Sequence, residues 1–237
     1  MCLILFTINP TPKYKLILAA NRDEFYDRPA EPAAFWKSDP DLLAGKDLKK
    51  GGTWLGITKS GRFAAITNFK LPGEQNSLNR SRGELVLDFL LGDISPKHYL
   101  KSLKPIQNQY NGFNLIIGTP DKLYFTSNHV GEDQVLEKGY FGLSNEKLNC
   151  EWPKVEFGRE KMRALIERKY SKAGLYELLA DQGNGDDFSA SFLKSETYGT
   201  RAMTILTIDY KNRVTFEEKT YTKNGDFEDK ARFEFRI

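Results

Sequence analysis

The sequence predicts an α+β protein in which antiparallel sheets carry helices on their outer sides. Three observations lead there. Strand-like segments outnumber helical ones along the chain. The first two strand-like segments follow each other through a short turn, which suits antiparallel pairing. Those same two segments are apolar at consecutive positions, so they need cover on both faces.

Residues 3–6 read Leu-Ile-Leu-Phe and residues 16–20 read Leu-Ile-Leu-Ala-Ala, with the turn at residues 9–13. Residues 28–40 are proline-rich and read as a loop. Strands are predicted at residues 53–58, 62–68, 113–118, 123–127 and 140–143. A helix starts at Ser81, where Ser81-Arg82-Gly83-Glu84 has the form of a capping box and Leu85, Val86, Phe89 and Leu90 form the apolar stripe. Residues 156–169 put Met162, Leu165 and Ile166 on one stripe, and residues 173–179 form a shorter helix. Three strands follow at 202–208, 214–220 and 231–237. The last alternates Arg232, Phe233, Glu234, Phe235, Arg236 and Ile237, which suits a sheet edge with one wet face. No repeat or linker breaks the chain, so one domain over residues 1–237 is expected.

Composition narrows the function classes. Aromatic residues at 13% exclude a disordered chain. Lys plus Arg total 35 against 32 for Asp plus Glu, a net charge of +3 that does not suit a nucleic-acid binder. Two cysteines, Cys2 and Cys150, exclude a disulfide scaffold. The first apolar stretch ends at Asn9-Pro10, well short of the roughly 20 residues a spanning helix needs. It also lacks a basic leader, so a cytoplasmic protein without a transmembrane segment is expected. His98 and His129 lack zinc-ligand spacing, and Gly51-Gly52 lacks the Lys-Ser/Thr of a phosphate loop, so no metal site is predicted.

The candidate chemistry centres on Cys2. Removal of Met1 would leave Cys2 with a free α-amine, whose ordinary pKa of about 7.7–8.0 lets it accept the thiol proton. A second-position cysteine at the start of a core strand is the simpler reading of position alone. Asn21-Arg22-Asp23-Glu24 lies at the end of the second strand, and a hairpin would bring Arg22 or Asp23 beside Cys2. A carboxylate there can hold an amine, and a guanidinium can bind an anionic substrate or lower the thiol pKa. Asn68, Asn114 and Asn145 stand at strand ends, where an amide can donate to an oxyanion. Arg201 opens a late strand in Gly199-Thr200-Arg201 and is a candidate for carboxylate or phosphate binding, or for a surface role. Cys150 reads as a passive thiol.

Several motifs occur in order: Met1-Cys2, Asn21-Arg22-Asp23-Glu24, Gly51-Gly52-Thr53-Trp54-Leu55-Gly56, Thr67-Asn68-Phe69, Ser81-Arg82-Gly83-Glu84-Leu85, Gly142-Leu143-Ser144-Asn145 and Gly199-Thr200-Arg201. Together they resemble the NRDE family, also called the transport and Golgi organisation 2 family, over nearly the whole chain. The resemblance implies a four-layer αββα fold of the N-terminal nucleophile hydrolase kind, with two antiparallel sheets between helices. It also implies a distant similarity to the choloylglycine hydrolase and penicillin V acylase group, which cleaves amides with an N-terminal cysteine. Carried over, Cys2 is the nucleophile, Asp23 stands near its amine, Asn68 and Asn145 stabilise the oxyanion, and Arg22 and Arg201 serve substrate binding. That group usually has an arginine about three residues before its aspartate, whereas here Arg22 directly precedes Asp23.

Two functions follow from the resemblance. One is a cysteine-nucleophile amidohydrolase acting on a small acyl-amide, with no cofactor. The other is a non-catalytic binding or trafficking protein for haem or an acyl lipid on the same fold, with haem as a bound ligand.

Overall fold

The computed structural model describes residues 2–69 and 80–237. In chain order the elements are β1 (Leu3–Ile8), β2 (Tyr14–Phe25), β3 (Ala30–Phe35), β4 (Leu42–Asp47), β5 (Leu55–Thr58), β6 (Phe63–Asn68), α1 (Arg82–Leu91) and α2 (Pro96–Leu103). Then come β7 (Phe113–Thr119), β8 (Lys122–Ser127), β9 (Gln134–Leu136), β10 (Gly139–Leu143), α3 (Pro153–Lys169), α4 (Lys172–Leu179), β11 (Tyr198–Asp209), β12 (Arg213–Tyr221) and β13 (Phe227–Arg236). They fall into two compact units, each a sheet with its own helices.

The first unit comprises Met1–Arg28, Lys138–Ser144 and Leu148–Arg236. Its six-stranded antiparallel sheet has the order β10-β1-β2-β11-β12-β13. β1 is buried at every position, as its unbroken apolar run requires. The β1–β2 turn contains Asn9 at φ +50, a left-handed conformation that asparagine tolerates better than most residues. The hairpin pairs Ile8 with Leu16 and Leu3 with Asn21, so the end of β2 lies beside the start of β1. One face of the sheet receives α3 and α4. Leu3, Leu5, Ile17, Ala19, Met203 and Ile205 share a core cluster with Met162, Ile166, Leu175 and Leu179. These are odd-numbered sheet residues, the alternation a strand imposes. β13 pairs only with β12 and alternates exposed and half-buried side chains over its second half, as expected of an edge.

The second unit comprises Pro29–Glu137, Asn145–Lys147 and Ile237. Its seven-stranded antiparallel sheet runs β3 to β9 in chain order. α1 and α2 cover one face. Leu85, Val86, Phe89 and Leu90 of α1, the stripe read from sequence, pack with Leu42, Ala64, Ile66, Leu115 and Ile117. The capping box forms, with the Ser81 backbone N–H donating to Glu84 Oε1 at 3.2 Å.

Some elements depart from the sequence reading. Residues 28–40 are not all loop, because Ala30–Phe35 forms β3. β3 is an edge strand, and its pairing with β4 slips between Glu31 and Ala34 around Pro32. An edge or a bulge is where a strand tolerates a residue with no N–H. β2 runs through Asn21-Arg22-Asp23-Glu24 instead of ending before it, because β11 pairs with that stretch. α3 starts at Pro153, whose ring suits the first helical position. α2 was not expected; Ser95 caps it and Pro96 opens it, a start signal on a helix too short for its periodicity to show. Among the described residues, no helix is long and apolar enough to cross a membrane.

Candidate active site

In the first unit, the hairpin register does to Cys2 and Asp23 what the sequence suggested. Cys2 precedes β1, and its Sγ donates to the Asp23 main-chain oxygen at 3.8 Å. The Ser144 hydroxyl donates to the Cys2 carbonyl at 2.7 Å, fixing the backbone that carries the thiol. Met1 lies outside the described residues, so its expected removal is a matter for experiment.

Asp23 is 4% exposed and is held from two sides. Thr200 Oγ1 donates to Asp23 Oδ1 at 2.7 Å and accepts the Leu193 N–H at 2.9 Å. The Tyr198 hydroxyl donates to the Asp23 main-chain oxygen at 2.8 Å. The β2–β11 pairing sets these contacts by placing Thr200 opposite Asp23. Gly199 has a separate cause: a Cβ there would meet Tyr26 Oη at 2.1 Å and the Leu193 carbonyl oxygen at 2.7 Å.

The other members of the tetrapeptide divide the work. Asn21 is a tie, its Nδ2 donating to the Leu179 carbonyl at 2.9 Å and the Ser191 carbonyl at 2.8 Å. Arg22 is buried, and its charge favours the ionised forms of both Cys2 and Asp23. Glu24 pairs with Arg28 at 3.7 Å near the surface. The stretch is therefore strand and not a solvated turn.

Burial dominates the electrostatics. It pushes the Cys2 thiol up from its ordinary value, against the pull of the Asp23 main-chain hydrogen bond and the Arg22 charge. It likewise pushes the Asp23 carboxyl up, against Lys154, the Thr200 hydrogen bond and Arg22. A thiol held in its neutral form needs a proton acceptor when it attacks.

Arg201 sits where the β2–β11 register shifts between Thr200 and Ala202. Its Nη1 donates to the carbonyls of Phe25 and Tyr26, both at 3.2 Å, and of Arg28 at 3.4 Å. These contacts tie down the turn after β2. Cys150 lies in the α3–α4 core cluster at 1% exposure. Lys154, which drew no attention in sequence, is 2% exposed at the start of α3.

The asparagines belong to the second unit. Asn145 is 6% exposed and its Nδ2 donates to the Asn68 main-chain oxygen at 2.7 Å, so these two are brought together. Asn114, fully buried, donates to Thr67 Oγ1 at 3.2 Å and to the Glu146 carbonyl at 2.8 Å, a structural role. His129 stacks on Phe69, and His98 Nδ1 shares a hydrogen bond with Ser95 at the start of α2. Among the described residues no group of three or more His, Cys, Asp or Glu side chains is placed to hold a metal.

The profile of the family described as transport and Golgi organisation 2 matches residues 1–223. The chain belongs to that family. It is 37% identical over 257 residues to the transport and Golgi organization protein 2 homolog of Bos taurus, covering 93% of each chain. It is 27% identical over 262 residues to transport and Golgi organization protein 2 of Drosophila melanogaster, covering 94% of this chain and 93% of that one. Among solved structures it is similar to a conjugated bile acid hydrolase variant from Clostridium perfringens, with a TM-score of 0.56 at 11% identity over 100% of this chain and 92% of that chain. It is also similar to the Caenorhabditis elegans ortholog of N-acylethanolamine-hydrolyzing acid amidase, with a TM-score of 0.53 at 9% identity over 87% and 92% of the two chains. At such identities the likeness is one of fold. The chain thus has the N-terminal nucleophile hydrolase fold of these neighbours, with two antiparallel sheets and helices, as the motifs implied.

Proposed function

We propose that this protein is an amidohydrolase with Cys2 as its nucleophile, acting on a small acyl-amide. The observation that carries the reading is the Cys2–Asp23 arrangement: a thiol 3.8 Å from the Asp23 main-chain oxygen, beside a buried carboxyl oriented by Thr200. Both fold neighbours are described as hydrolases, one as an N-acylethanolamine-hydrolyzing acid amidase and one as a conjugated bile acid hydrolase. In the proposed reaction Sγ attacks the acyl carbonyl and its proton passes by way of the α-amine of Cys2 to the leaving amine. The C–N bond breaks, and water then hydrolyses the thioester to free the acid and restore the thiol. The resemblance gives Asn68 and Asn145 the oxyanion role.

Two measurements test this. Intact mass of the protein from its native source reports whether Met1 has been removed; the proposal expects a mass beginning at Cys2. Cys2→Ala should abolish release of amine from N-acyl amides and abolish covalent labelling by a thiol-reactive acyl mimic. Unchanged turnover in that variant overturns the proposal. A protein that retains Met1, hydrolyses nothing and forms a stoichiometric complex with haem or an acyl lipid would instead be the carrier.

A further inference from the structure

Among the described residues the two sheets end in the strands β3, β9, β10 and β13. An open edge offers unpaired N–H and C=O groups to another chain, and proteins usually blunt it with short strands, proline or bulges. Three of these edges are blunted in that way. β3 carries Pro32 and a slipped register, β9 has 3 residues, and β10 has 5 residues with Gly139 and Gly142 among them. β13 is different. It has 10 residues, none of them proline or glycine, and it pairs regularly with β12 from Asp229 to Arg236.

The charges of β13 also have an order. Lys230, Arg232, Glu234 and Arg236 alternate along one face, and Glu228 lies at the slip where the regular pairing ends. Lys230 and Glu234 stand at equal distances from Arg232 and have opposite signs, and so do Glu228 and Arg236. A strand with that antisymmetry complements a second copy of itself, laid antiparallel about a two-fold axis at Arg232. Lys230 of each copy then faces Glu234 of the other. A shift of two residues one way sets Lys230 against Arg232, and the other way sets it against Arg236. Like charges directly opposite are destabilising, so the pattern selects the register centred on Arg232. Arg232 meets its own copy at the axis, but each guanidinium is already paired with Glu234 and lies 3.6 Å from Glu217. The Lys230 side chain also pairs with Glu217 at 2.9 Å, yet it stays 41% exposed and Glu234 48% exposed, so both have room to reach across.

We propose that β13 is a homodimer interface, on which a second copy of this chain adds its own β13 antiparallel and joins the two sheets into one. Main-chain hydrogen bonds along the edge supply the attraction, and the Lys230–Glu234 pairs fix the register. The proposal stands apart from the Cys2 reading, because no residue of β13 has a part in that site.

Sedimentation equilibrium of the full-length chain tests it. Wild type should pass from the 27.1 kDa of one chain to twice that mass, with a Kd on the order of micromolar as suits a small interface. Glu234→Lys sets lysine against lysine in both pairs and should raise Kd by about tenfold or more. Lys230→Glu should do the same with carboxylates. Mixing the two single variants is the sharper arm. Both lysines of one copy then face both carboxylates of the other, so a heterodimer should form to within about threefold of the wild-type affinity. Wild type that stays at 27.1 kDa at roughly 100 μM overturns the proposal. So does an assembly, dimeric or larger, that Glu234→Lys leaves unchanged, because its contact lies elsewhere. Single variants that weaken the dimer without recovery on mixing overturn the register and the proposal with it. Should Lys230→Glu not fold beside Glu217, Glu234→Lys alone decides, by weakening the dimer or by overlaying wild type.

Discussion

Two buried carboxylates stand in the same sheet and titrate in opposite directions. Glu217 on β12 is 1% exposed, and Asp23 on β2 is 4% exposed. Burial pushes both upward. Around Glu217 that push loses, because Lys172 makes a direct ion pair, Lys230 Nζ lies 2.9 Å away and Arg232 Nε lies 3.6 Å away. Its carboxyl is held below the ordinary range. Around Asp23 burial wins, against the Thr200 hydrogen bond and the charges of Lys154 and Arg22. Burial alone therefore does not say what a carboxylate does. A carboxylate sealed by direct ion pairs is a strut, whereas one on which burial outweighs the surrounding charge keeps a proton affinity that chemistry can use.

The largest expected effect separates the two in activity. Asp23→Asn should lower turnover by about 10²-fold or more, the size expected when a group that handles or orients the reacting proton is neutralised. Glu217→Gln should leave turnover within about twofold. Equal losses in both variants would erase the distinction.

In stability the order reverses. Glu217→Gln removes charge-assisted hydrogen bonds from a buried position and should cost about 2 kcal/mol near neutral pH. For a chain of this size that is a fall in melting temperature of roughly 4–8 °C, read by calorimetry. The pH dependence follows from the direction of the shift. A carboxyl lowered in the folded state stabilises above its ordinary value of 4.5, and that stability is lost as pH falls through the folded value. The melting difference between wild type and Glu217→Gln should therefore shrink below that pH. The raised Asp23 carboxyl acts with the opposite sign: its ionisation opposes folding increasingly as pH rises from 3.8 through the folded value.

A smaller effect probes what orients Asp23. Thr200→Val keeps the shape but removes the hydroxyl that donates to Asp23 and accepts from Leu193. Turnover should fall by about tenfold, in line with one lost orienting hydrogen bond, and Thr200→Ser should recover most of it. A Ser variant as impaired as the Val variant would show that the methyl, not the hydroxyl, matters.

The units differ in the same sense as the two carboxylates. All the buried charged side chains named among the described residues, Arg22, Asp23, Lys154, Glu217 and Glu218, belong to the first unit. The buried polar groups of the second are neutral, and Asn114 and Asn145 are tied to backbone or hydroxyl partners, while Asn68 is exposed and takes part through its main-chain oxygen. Strand patterning made much of this legible. The unbroken apolar runs and the short turn predicted the hairpin, and the hairpin predicted that Cys2 and Asp23 meet. Arg201 was harder to read. Its residue type suits anion binding, but a shift in β-strand register sends its guanidinium to three turn carbonyls. Nothing in the local pattern shows a bulge created by pairing with a strand far away in sequence.

By itself the sequence determined the period-2 segments, the α1 stripe and cap, and the pairing that sets Cys2 against Asp23. Those are local: propensity, periodicity and a turn of a few residues suffice for them. Only the tertiary structure decided what surrounds that pair. Thr200 reaches Asp23 from 177 residues away, and Lys154 is a lysine like any other until α3 buries it. Whether a charge is buried, and beside which other charge, depends on elements that meet only in the folded chain.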